Sequence, residues 1–217
     1  MSNSVNIFRG CERISREIQQ RKLVSALPLT TFSIIALTGT GLITFAPNIS
    51  SVKHQVRHLL IARECRNCYL SGANLSAVFL EDVNLENANL KDANLWSANL
   101  VNANLNKANL RGVYLISSNL AGANLEDSNL ENAFLEDAYF AANNLKNANL
   151  KGAFLKGTFL VNANLEGANL EGANLWMANL EEANLKGANL RNALLLSTNL
   201  AGANLKGAIM PDGTKHE

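Results

Sequence analysis

The chain has 217 residues, with 19 Lys and Arg against 18 Asp and Glu. That length leaves room for one domain plus an appendage and excludes a multidomain assembly; a formal net charge of +1 excludes a strongly charged molecule taken as a whole. The charge is unevenly placed, because residues 1–68 carry nine Lys and Arg against three acids and residues 69–210 carry nine against thirteen. A basic leader therefore precedes a mildly acidic body.

Residues 1–22 form the leader, with Arg9, Arg13, Arg16, Arg21 and Lys22. Residues 23–46 then carry no charge and are largely apolar or small. As a helix they would extend about 36 Å, enough to cross a hydrocarbon core of about 30 Å. The spacing predicts a single membrane anchor. Its rival is a cleavable export signal with Thr44 and Ala46 at the small-residue positions, although the run exceeds a usual signal core and Pro47 is a poor cleavage partner; the third reading is a buried helix of a soluble domain. The anchor predicts a membrane protein, and cleavage predicts export to a periplasm or thylakoid lumen. Lys53, Arg57, Arg63 and Arg66 follow the segment, so the positive-inside rule gives only a slight preference for a cytoplasmic N-terminus.

Residues 47–68 are expected to be a linker and an N-terminal cap. Val52, Val56, Leu59 and Leu60 recur at helical spacing, which predicts a short amphipathic helix over the raw edge of whatever follows. Cys65 and Cys68 come next. Three readings stand: small core side chains, a disulfide that requires an oxidising compartment, and a zinc set completed by His54 and His58.

From residue 69 to residue 210 the chain keeps a five-residue beat. Leu occupies every fifth position from Leu70 to Leu205 with Phe140 as the one substitute, and two residues earlier sits a small residue, Asn143 being the clear exception. Five fits neither the 3.6 of a helix nor the 2.0 of a strand. It fits a chain that turns a corner every five residues and points one large and one small side chain inward each time. In this stretch the chain resembles the pentapeptide-repeat proteins, whose motif is A(N/D)LXX. The resemblance implies an all-β fold, a right-handed quadrilateral β-helix with four pentapeptides to a coil, here about seven coils with an N-terminal hydrophobic helix and a short capping helix. Cyanobacterial members commonly carry leaders of this kind.

Charges give an independent check on the coil length. At intervals of twenty, Arg111, Glu131, Lys151, Glu171 and Arg191 alternate in sign, as do Glu126, Lys146, Glu166 and Lys186. A fifteen-residue coil gives no such order. With neighbouring strands about 4.8 Å apart, seven coils make a rod about 34 Å long.

The outward positions are not uniform. The faces headed by Leu70 and Leu85 hold most of the charge, whereas the face headed by Leu75 displays Trp96, Tyr114, Ile116, Phe134, Phe154, Trp176, Met177, Leu194 and Leu196. The next face, headed by Leu80, adds Phe79, Val101, Tyr139, Phe159 and Val161. Apolar residues aligned in this way predict a docking face for a protein partner, a second copy or a membrane surface; stacking that merely stiffens the ladder is the alternative. Phe140 and Asn143 predict a local bulge or bend, with a binding notch as the alternative. Residues 211–217 read as a turn and a short tail that leaves the last coil partly open, a second route to a homodimer.

No enzyme constellation appears. His54, His58 and His216 lie outside the repeats, and no phosphate-cradling glycine loop or metal set is present, so no cofactor is expected. The reading is a non-enzymatic scaffold, tethered or exported. The resemblance supplies an alternative, since some pentapeptide-repeat proteins imitate DNA and bind topoisomerase. Mimicry needs a strongly negative rod, and these repeats total −4 with alternating signs, so no nucleic-acid role is expected.

Overall fold

The structure is a computed structural model and describes residues 49 to 217. The basic leader, the apolar segment 23–46 and the N-terminal hydrophobic helix expected there lie outside the described residues. Among the described residues no helix is long and apolar enough to cross a membrane.

Helix α1 spans Ile49–Ala62. Leu59 and Leu60 are buried and Val52 and Val56 half-buried, while Lys53, His54, Arg57 and His58 face solvent. Arg63 ends the helix by entering the left-handed region at φ 53°, and its N–H closes onto the Leu59 carbonyl at 3.0 Å, a common C-terminal stop. The side chain of Gln55 accepts the Tyr69 N–H. The Arg63 guanidinium donates to the Glu81 carbonyl at 3.0 Å, and the Arg63 carbonyl accepts the Asn84 N–H at 3.2 Å. These bonds occupy edge groups of the first coil that would otherwise invite another strand. From Val52 onward, helix and coils form one compact unit.

Parallel bridges then join residues twenty apart, from Glu64 with Asn84 to Asn189 with Ile209. The coil is therefore four pentapeptides, and residues 64–210 make about seven coils. One face shows the bonding that repeats throughout: the Leu90 N–H donates to the Asn109 carbonyl at 2.8 Å, the Asn109 N–H returns to the Ala88 carbonyl at 2.9 Å, and the Asp92 N–H donates to the Arg111 carbonyl at 2.9 Å. Each corner is a tight turn. The Ala93 N–H reaches the Leu90 carbonyl at 3.0 Å with Asp92 at φ 55°, the signature of a type II turn. Asn, Asp and Gly dominate this left-handed position because they tolerate it best. At Gly112 closeness adds to conformation, since a Cβ there would meet Asp92 Oδ1 at 2.4 Å.

Every Leu of the repeat from Leu70 to Leu190 is at most 1% exposed. Sequence periodicity thus becomes a continuous core column, with Ala at the narrow positions and Leu at the wide ones. The Asn before each Leu has a job the beat alone does not reveal. Asn84 Oδ1 accepts the Glu86 N–H at 3.1 Å, fixing its own corner, and also accepts Asn104 Nδ2 at 3.3 Å from the next coil. Similar links join Asn144, Asn164, Asn184 and Asn204.

The bulge expected at Phe140 and Asn143 does not occur in the ladder. Tyr139 still bridges Phe159, and Asn144 still bridges Asn164. Phe140 keeps a Leu place and Asn143 a small place, both 1% exposed, so the register survives. The disturbance is confined to the corner and its side chain. Among the described residues the Asn143 N–H makes no turn bond to Phe140, and neither Asn143 Oδ1 nor Nδ2 has a partner.

At the far end Lys215 pairs antiparallel with Ile209. The tail folds back through a turn closed by the Gly213 N–H on the Met210 carbonyl at 2.8 Å. It covers part of one face only. Leu195, Leu200 and Leu205 are half-buried rather than buried, and their amides have no hydrogen-bond partner among the described residues.

Candidate interaction face

The twenty-residue register brings the predicted docking residues onto one side of the β-helix. Immediately before the central Leu positions of that face stand Asn94, Tyr114, Phe134, Phe154, Asn174 and Leu194, joined in sequence by parallel bridges. Immediately after them stand Trp96, Ile116, Glu136, Lys156, Trp176 and Leu196. Trp96 is 54% exposed, Tyr114 43%, Leu194 49% and Leu196 63%. Phe154 and Trp176 are also exposed, and Ile116 and Phe134 are half-buried.

Stacking accounts for the lower exposure of Phe134. Its ring lies parallel to Tyr114 at 4.8 Å between centroids and to Phe154 at 5.0 Å. Ring faces are thereby spent on one another along the ladder, and ring edges are presented outward. Tyr139 and Phe159, on the neighbouring face, are both 46% exposed and meet at a tilt, with centroids 6.0 Å apart. Stacking and exposure therefore coexist: the rings stiffen the wall and still leave an apolar strip in water.

The middle of the strip is charged. The Lys156 ammonium lies 4.5 Å from the centroid of the Trp176 ring, a cation–π contact. One carboxylate oxygen of Glu136 is buried and has no hydrogen-bond partner. Neither feature is apparent from residue type, although the outward position of both residues follows from the register. On the charged faces the alternating ladders produce Arg111 with Glu131 at 3.5 Å, Lys151 with Glu171 at 3.0 Å and Lys186 with Glu166 at 3.6 Å. These exposed pairs mark register and contribute about 0 to 1 kcal/mol each.

At the N-terminal end Cys65 is buried and Cys68 half-buried. Their Cα atoms are 5.3 Å apart and their sulfurs are joined in a disulfide, a Cα separation normal for such a bond. The zinc set does not assemble: His54 and His58 stand on the solvent side of α1, and no group of three or more His, Cys, Asp or Glu among the described residues is placed to hold a metal ion. Asp212, in the tail turn, accepts both the Thr214 Oγ1–H at 2.7 Å and the Thr214 N–H at 2.9 Å. Those bonds, the side-chain one foremost, hold its carboxyl below the ordinary value.

A four-sided coil, leucine core columns with Phe140 as the one substitute from Leu70 to Leu205, and type II corners define a class of β-solenoid. The family model for pentapeptide repeats matches this chain in eight copies spanning residues 68–211, and the chain belongs to the pentapeptide-repeat family. Members fold as right-handed quadrilateral β-helices. Among solved structures, the chain is similar to HetL of the cyanobacterium Nostoc sp. strain PCC 7120, involved in heterocyst differentiation regulation. Identity is 35%, the match covers 70% of this chain and 78% of HetL, and the TM-score is 0.50. It is also similar to QnrB1, a plasmid-mediated fluoroquinolone resistance protein, at 21% identity over 63% of this chain and 78% of that one, with a TM-score of 0.47. A pentapeptide repeat protein of the Arabidopsis thaliana thylakoid lumen matches at 30% identity over 49% of this chain and 71% of that one, with a TM-score of 0.37. The comparison with curated proteins found no match.

Proposed function

We propose that the chain is a non-enzymatic scaffold that binds protein through the face headed by Leu75. The observation that carries this is the aligned exposure of Trp96, Tyr114, Phe154, Trp176, Leu194 and Leu196 on one wall of a rigid β-helix. Scattered exposed apolar residues are ordinary; a strip following one register along the rod is the kind of surface that meets a partner. Replacing Tyr114, Phe134 and Phe154 together by Asn tests it. Loss of partners from a pull-down by the full-length protein is expected, and an unchanged partner set contradicts the reading.

The apolar segment 23–46 supports a tether or an exported state, by the span-length rule. The Cys65–Cys68 disulfide fits the oxidising side of such a membrane. Membrane fractionation with a carbonate wash, protease protection and N-terminal sequencing tests this. Intact protein in the washed membrane fits the anchor, and a soluble product starting near Pro47 fits export. Intact protein in the soluble fraction contradicts both.

The charge pattern weighs against DNA mimicry. Cations at Arg111, Lys151 and Lys186 interrupt the acidic ladders with ion pairs, whereas a nucleic-acid mimic needs an unbroken negative surface. Inhibition or protection of gyrase supercoiling by the purified protein would overturn that judgement.

A further inference from the structure

We infer that the partner of the Leu75-headed face is a second copy of this chain, laid alongside it in the opposite direction; the inference rests on the scaffold reading above and names its partner. After Ser76 in the first coil, the outward position following each central Leu of this face reads Trp96, Ile116, Glu136, Lys156, Trp176 and Leu196 along the rod. Two apolar residues, an acid, a base and two apolar residues make a list that is complementary to its own reversal. An isologous pair requires this self-complementarity.

Two flat faces in contact are related by a two-fold axis lying in the plane between them. If that axis runs along the strands, it reverses the rod direction and leaves strand direction unchanged. Each outward column then meets its own copy, read backwards. With the axis between the coils of Glu136 and Lys156, Glu136 meets the other copy's Lys156, Ile116 meets Trp176, and Trp96 meets Leu196. The preceding column agrees, placing Phe134 against Phe154. The following column sets Asp137 opposite Gly157 and Ser117 opposite Met177, so no like charges collide.

Other placements fail on the same charges. An axis one coil-step to either side puts Glu136 against Ile116 or Leu196, burying a carboxylate against an apolar side chain. A parallel pair, with the axis along the rod, sets the column of Glu136 and Lys156 against the column of Phe134 and Phe154 and pairs neither charge. Glu136 is half-buried and Lys156 exposed, so part of each side chain faces a second copy, while the Glu136 oxygen that lacks a hydrogen bond is buried within the chain's own surface. Lys156 rests over Trp176, a weak and exchangeable site for an ammonium. Only one narrow wall of the β-helix is covered, so the dimer is concentration-dependent rather than obligate.

Sedimentation of the full-length protein in a mild detergent, across a dilution series, reads the association. Glu136→Lys and Lys156→Glu each weaken dimerisation by about tenfold, by placing like charges opposite each other. The double swap, Glu136→Lys with Lys156→Glu, restores it. Register is read separately in a Cys11→Ser background. A chain carrying Ser117→Cys is mixed with one carrying Met177→Cys and treated with a short bis-maleimide. The mixture gives a covalent dimer, and either chain alone gives little, because identical sites lie three coils apart, about 14 Å along the rod.

A monomer at every concentration overturns the inference, as does dimerisation indifferent to the charge swaps or cross-linking without preference for the mixture. A chain that stays monomeric yet loses a different protein partner on the triple Asn substitution overturns the second copy alone and leaves the scaffold reading standing. A monomer that captures nothing through this face removes both.

Discussion

Tyr114 and Phe134 stack with their planes 2° apart and centroids 4.8 Å apart, at the separation that their parallel bridge sets between neighbouring strands. They replace the Asn that holds the place before the central Leu in most repeats. Two jobs of that Asn are therefore lost on this wall: acceptance of the N–H two residues on, as at Trp96 from Asn94 at 3.0 Å, and the side-chain link between coils. The triple variant Tyr114→Asn, Phe134→Asn, Phe154→Asn restores the repeat's own residue. It is expected to retain the β-sheet circular dichroism of the wild type and to melt within a few degrees of it, about 1 kcal/mol per lost aromatic contact being offset by new corner bonds. Unfolding of the variant at ordinary temperature would contradict this account of the ladder.

Asn143 lies in a column otherwise held by Val83, Ala103, Ala123, Ala163, Ala183 and Ala203, with both side-chain polar atoms buried and unpartnered. Asn143→Ala removes a desolvated amide at a place built for a methyl group. Stability should rise by about 1 to 3 kcal/mol, read as a higher denaturant midpoint with unchanged slope. A lower midpoint would contradict the assignment.

Lys107 stands at a corner with φ 57°, where a side chain is strained. Lys107→Gly relieves about 1 to 2 kcal/mol of left-handed cost and gives back part of it in chain entropy. A gain of about 0.5 to 1 kcal/mol in urea unfolding is expected, and a loss would show that the lysine stem earns its place by packing.

The two ends should differ. Leu120 is fully buried and Leu200, in the last coil, is not. Leu120→Ala is expected to cost about 2 to 5 kcal/mol and Leu200→Ala distinctly less. In hydrogen exchange the amides of Leu195, Leu200 and Leu205 should be the first of the leucine column to exchange, as the open end of a one-dimensional array requires. Equal protection along the column would contradict an open last coil.

Low pH should release the tail turn. The Asp212 carboxyl is held below its ordinary value of 3.8, so the stabilisation of the turn is present above that value and is lost as pH falls through the lowered, folded-state value. The Thr214 amide resonance should therefore move at a pH below the usual Asp range, and Asp212→Asn should abolish the transition. A titration at or above the ordinary value would contradict the two Thr214 bonds.

Much of the fold was legible because the signal was redundant: Leu at every fifth place, small residues two before it, and charges alternating at twenty all require the same coil. The apolar wall was legible for the same reason, since register converts Trp96, Tyr114 and Trp176 into neighbours of one surface. Events inside a repeat were not. The stranded oxygen of Glu136, the ammonium of Lys156 over Trp176 and the intact ladder beside Asn143 depend on rotamers and on one corner bond, which residue type does not determine. The half-buried state of Leu195, Leu200 and Leu205 depends on how far the tail folds back, and a seven-residue tail does not announce that.

In the proposed function the Leu75-headed wall binds protein. Its most direct test is an affinity capture comparing the full-length wild type with the triple Asn variant, scoring both other proteins and differently tagged copies of the chain. The account predicts that the variant, folded by circular dichroism, loses what the wild type retains. A folded variant with the same captured set would contradict it.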